Sequence, residues 1–155
     1  MKPLLPFLAI LCVFFGVISC SKDDDPAPVP TPVIVTFTTA LTPVAGTGSA
    51  AYGDAKLEFN QTAKTFEITV NFSGLTATAA HIHGADGAPV FPLTNTTPLT
   101  SPIKLSTTIN DAQIVELMAN HYYVNVHSVA FPNGEISGTL IKTGTSGGGG
   151  GGGGY

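Results

Sequence analysis

The eight residues Thr65-Phe66-Glu67-Ile68-Thr69-Val70-Asn71-Phe72 alternate polar and apolar without a break. Successive side chains on a strand point to opposite faces, so Phe66, Ile68, Val70 and Phe72 face a core while Thr65, Glu67, Thr69 and Asn71 face water. A helix, with its period of about 3.6, cannot gather such a pattern onto one side. Ala55-Lys56-Leu57-Glu58-Phe59 alternates in the same way. The intervening Asn60-Gln61-Thr62-Ala63 has a length suited to a hairpin.

Further strands are expected at Val33 to Leu41, Ala79 to His83, around Val90 to Leu93, Pro102 to Thr107, Tyr122 to Ser128 and Glu135 to Ile141. Ser73-Gly74, Asp86-Gly87 and Pro132-Asn133-Gly134 punctuate them as turns, because Gly and Asn tolerate positive φ. One segment departs from period two. Asn110 to Asn120 (NDAQIVELMAN) reads as a short helix, with Asn110 as N-cap, Gln113 as its capping-box partner and Asn120 as a stop. Its stripe of Ile114, Leu117 and Met118 is expected to pack on the sheet. The expected fold is mainly β, an antiparallel β-sandwich or barrel with one short helix.

The ends read differently. Residues 1–19 hold one charge, Lys2, and an apolar run from Leu4 to Ile18, too short for a membrane span and ending in small residues, as export signals do. Val17-Ile18-Ser19-Cys20 resembles the lipobox of bacterial lipoproteins, which implies lipidation at Cys20 and attachment to the membrane through that lipid anchor. Ser21-Lys22-Asp23-Asp24-Asp25 resembles the acidic export signal of surface-exposed lipoproteins of Bacteroidetes-type bacteria, which implies an outer-membrane address at the cell surface. The prolines of PAPVPTP favour an extended, semi-stiff spacer, completing a linker over 20–32. A single domain is expected over 33–143, and a disordered glycine-rich tail over 144–155.

Composition excludes some functions. The chain has six lysines, no arginine and ten acidic residues. It therefore lacks the basic footprint of a nucleic-acid binder, and no nucleic acid is expected as a partner. Its two cysteines are Cys12, in the leader, and Cys20, so the domain carries neither a disulfide nor a thiol nucleophile. No P-loop and no H-E-x-x-H is present. Ser128 follows His127 directly, which puts the two on opposite faces of a strand and makes them a poor nucleophile–base pair.

Three of the four histidines lie in two segments, Ala80-His81-Ile82-His83-Gly84 and Tyr122-Tyr123-Val124-Asn125-Val126-His127-Ser128. On strands, His81 and His83 share the face opposite Ile82, and His127 shares a face with Tyr123 and Asn125, opposite Val124 and Val126. If both apolar faces meet one core, His81, His83 and His127 gather on the outside of one wall. Three imidazoles there suit copper or zinc. The alternative is that they hydrogen-bond to backbone or to Asn125 and fix loop ends. His121 sits at the helix end, where it suits the negative dipole terminus. The loops that flank the histidine strands, with Asp86, Gly87 and Phe91 in one and Phe131 and Asn133 in the other, are candidate binding loops.

The paired signatures AHIHGA and YVNVHS…PNGEISG, with Phe72-Ser73-Gly74-Leu75 before them, resemble the CHRD domain, named after the extracellular antagonist chordin and also found in bacterial exported proteins. The resemblance covers about Val35 to Ile141 and implies an extracellular setting. It departs at Ser137, where the family usually carries arginine, so any role of that cation is absent. The histidine spacing is also faintly similar to the copper ligands of copper/zinc superoxide dismutases, with no bridging histidine, zinc cluster or disulfide to match. The function expected from all this is a lipid-anchored cell-envelope protein, a non-catalytic binding module for an extracellular protein or glycan. The alternatives are a three-histidine copper or zinc protein, with redox or superoxide-related chemistry, and a structural envelope component.

Overall fold

The computed structural model describes residues 31–93 and 99–147. The expected export signal, Cys20, the acidic and most of the proline-rich stretch, and residues 148–155 lie outside them.

Among the described residues nine strands and one helix follow in order: β1 (Ile34–Pro43), β2 (Tyr52–Asn60), β3 (Thr65–Ser73), β4 (Ala77–His83), β5 (Pro89–Pro92), β6 (Ile103–Thr108), α1 (Asp111–Met118), β7 (Tyr123–Ser128), β8 (Ile136–Thr139) and β9 (Ile141–Ser146). All pairings are antiparallel, in the order β5-β4-β7-β8-β1-β2-β3-β6, with β9 also on β1. The expected antiparallel β architecture is thus observed.

The alternation sets the register. Phe66, Ile68 and Val70 of β3 are buried, as are Ala55, Leu57 and Phe59 of β2, which pair with them directly. Val35, Phe37 and Leu41 of β1, Ile82 of β4, Val124 and Val126 of β7 and Ile136 of β8 fill the same core. Phe66 meets Phe91 edge-on at 5.0 Å between ring centroids, joining β3 to β5 across the interior.

β1 belongs to both halves of the curled sheet. Ile34 to Thr38 lie between β2 and β9, and Thr42 and Pro43 pair with β8. The expected last strand is two strands, broken at Leu140, whose side chain is buried. The second of them runs on through Gly144, Thr145 and Ser146, which the sequence reading assigns to the tail. β1 supplies the partners that a glycine-rich composition alone does not reveal.

The helix is capped as the sequence predicts. Gln113 N–H donates to Asn110 Oδ1 at 2.9 Å, and Asn110 N–H donates to Gln113 Oε1 at 3.1 Å. Leu117 is fully buried, Ile114 and Met118 pack partly against the core, and Asn120 ends the helix at φ 59°.

Candidate metal centre

Strands β4 and β7 are neighbours, with His81 opposite Asn125, His83 opposite Tyr123 and Ala79 opposite His127. Ile82, Val124 and Val126 point into the core, so His81, His83 and His127 share the outer face, as alternation requires. The face is not an open surface, however. His83 and His127 are buried, and His81 is half-buried. Their rings crowd together, with centroids 5.1 Å apart for His81 and His127, 5.5 Å for His81 and His83, and 5.8 Å for His83 and His127.

Two backbone carbonyls fix the tautomers. His127 Nδ1 lies 3.0 Å from Pro132 O, and His83 Nδ1 lies 2.9 Å from Gly87 O. A carbonyl only accepts, so each Nδ1 carries the proton and each Nε2 is left with its lone pair. The His127 Nε2 lone pair faces His81 Nδ1 at 3.1 Å. The His83 Nε2 lone pair is buried and has no partner. An unpaired buried acceptor costs about 1–3 kcal/mol, so fixing loop ends explains the Nδ1 contacts but not this one.

One ligand nitrogen from each of the three histidines falls within 4.8 Å of the other two. Zinc–imidazole bonds of about 2.0–2.1 Å, applied to the 3.1 Å His81–His127 pair, subtend an angle near 100°. The widest pair closes by at most ~1.5 Å to reach the ~3.3 Å of tetrahedral ligands, a side-chain movement. Burial is the main force pushing His81 and His127 below the usual imidazole pKa. Neighbouring histidines add to it, and the Pro132 carbonyl opposes it at His127. Both are therefore neutral at pH 7, as metal ligation requires.

The surroundings were less legible. Tyr123 stacks on His83 at 5.0 Å with the rings 17° apart. Its alternation puts it on the histidine face, but only the register sets it opposite His83. Asn125 Nδ2 donates to Asn133 O at 3.2 Å, and its Oδ1 is buried without a partner. Gly134, at φ 122°, presses against that carboxamide. A methyl group there would sit 2.6 Å from Asn125 Cγ and closer still to Oδ1 and Nδ2. The Pro132–Gly134 turn thus covers the face and presents the carbonyl that orients His127.

The predicted loop residues reach the cluster only through backbone carbonyls, Gly87 O on His83 and Asn133 O on Asn125. Asp86 and Gly87 are exposed in the β4–β5 turn, where Asp86 Oδ1 accepts from Ala88 N–H at 3.0 Å and Gly87 has φ 82°. Phe131 is half-buried and Asn133 exposed. Phe91 is a correction: its ring is buried in the core against Phe66 and Tyr122 and lines no loop surface. The alternation of Phe91 with Val90, and its pairing in phase with Leu93, was the available signal. His121 stands apart, 2.8 Å from the Glu116 carboxylate. Among the described residues no second group of three or more potential ligands forms.

Fold and site together define a small, mainly β domain with an imidazole cluster on the outer face of its sheet. The chain belongs to the CHRD domain family, which it matches over residues 33–140. No curated protein and no solved structure matches it significantly.

Proposed function

We propose that this chain is a binding module of the cell envelope whose ligand is a copper or zinc ion, held by His83 Nε2, His127 Nε2 and His81 Nδ1. One observation carries this reading: a buried, unpartnered His83 Nε2 beside a second lone pair whose ring is fixed by a carbonyl. Metal-ligating histidines usually donate their other N–H to a carbonyl or carboxylate, which sets the ring and raises its basicity. His81 joins them by moving its proton to Nε2, with no change in charge. The export signal and lipobox-like Cys20 support attachment to the outer membrane, displayed at the surface behind the proline-rich linker.

The purified chain, loaded with Cu(II) or Zn(II) and dialysed, should retain one equivalent. His83→Ala and His127→Ala should abolish retention, and His121→Ala, outside the cluster, should not. Retention that is absent in the parent, or unchanged in both variants, refutes the reading. Fatty-acid labelling in a bacterial host should disappear in Cys20→Ser. Label that persists would end the lipid-anchor proposal.

A second reading, capture of an extracellular protein or glycan by loops, has its own observation. Val44–Thr47 and Ala130–Gly134 line a groove of about 350 Å³ that includes Phe131 and Asn133.

A further inference from the structure

Three imidazoles leave a tetrahedral ion one ligand short. Among the described residues no carboxylate, thiol or fourth imidazole joins the cluster. The nearest acids in sequence are already engaged. Asp86 caps its own turn through Ala88 N–H, and the buried Glu135 accepts the Ser49 hydroxyl at 2.6 Å. Neutral imidazoles also leave the charge of a divalent ion uncompensated, in a half-buried place where water screens it poorly. Access is one-sided. Tyr123 stacks on His83, and the Pro132–Gly134 turn covers His127, whereas His81 is half-exposed.

Resting on the metal reading above, we infer that the fourth position takes a small inorganic anion from solution, arriving past His81, rather than a side chain of this chain. The anion supplies the missing donor and the missing charge together. Its size is limited because two of the three ligand rings are buried.

The test uses the full chain loaded with one equivalent of Cu(II) and titrated with azide, followed by absorption and electron paramagnetic resonance. Azide should raise a new ligand-to-metal charge-transfer band that saturates at one azide per copper, with a matching shift in the copper hyperfine splitting. Asp86→Asn should leave metal stoichiometry and azide titration unchanged. Copper bound at one equivalent with no azide response would mean that the protein fills the position, and would overturn this inference while leaving the metal reading intact. An azide response that appears only in Asp86→Asn would overturn it too, by making Asp86 the fourth ligand. A chain that retains no copper overturns both.

Discussion

Gly134→Ala tests how the cover of the site is held. Gly134 has φ 122°, a conformation that side chains rarely adopt, and its Cα lies against the Asn125 carboxamide. The substitution forces strained backbone, at about 1–3 kcal/mol. It also displaces the Asn125 head group and its 3.2 Å bond to Asn133 O, at about 1 kcal/mol. Together these give roughly 2–4 kcal/mol. Unfolding entropy is ~2.1 cal/mol/K per residue, so a domain of roughly 115 residues has ~0.24 kcal/mol/K, and 3 kcal/mol lowers Tm by about 12 °C. Calorimetry on the metal-free chain reads this directly. Adding Asn125→Ala removes the collision, and the double variant should be at least about 1 kcal/mol more stable than the two single costs added together. Because the same turn carries Pro132 O, Gly134→Ala should also weaken copper binding by about 10–100-fold, the usual effect of losing a group that orients a ligand. A Gly134→Ala chain melting within about 2 °C of the parent, with copper affinity intact, would refute the reasoning.

Acidification should destabilise the metal-free fold. His81 and His127 sit below their unfolded pKa of 6.5, so the unfolded chain binds more protons once pH falls through that value. Urea midpoints should be level above about pH 7 and fall as the pH drops below 6.5, with a shallower fall in a His81→Ala/His127→Ala double variant; a midpoint that rises with acid would contradict the burial argument. Phe91→Ala should cost about 3–5 kcal/mol in urea unfolding, as a core aromatic does, whereas Asn133→Ala, on an exposed loop position, should change stability little. Asn110→Ala removes one half of a capping box and should cost about 1 kcal/mol by the same assay.

What could be read ahead of the fold was whatever a local period dictates. Phe66 to Phe72 announces β3, Asn110 and Gln113 announce the cap of α1, and the positions of His81, His83 and His127 relative to Ile82, Val124 and Val126 announce their common face. What could not be read depends on carbonyls and on long-range register. Gly87 O and Pro132 O reach their histidines because of turn conformations, and a carbonyl leaves no mark in residue type. Burial of His127 follows from the overlying Pro132–Gly134 turn, and burial of His83 from the stacked Tyr123 ring and the Gly87 carbonyl, contacts that the register and the turns create. Gly144 to Ser146 become a strand because β1 has a free edge, and Phe91 turns inward through pairing with β4 that includes a register shift at His83.

β1 has a mechanical consequence for any domain held by the residues that precede it. From Ile34 to Thr38 the strand is gripped on both edges, by β2 and by β9, and further along it is stitched to β8. Tension applied at residue 33 along the axis of β1 therefore loads the rows of amide bonds on both its edges in shear rather than peeling them one at a time. Extraction of β1 would separate the two halves of the sheet in the same event, so under load the domain should give way in a single abrupt step.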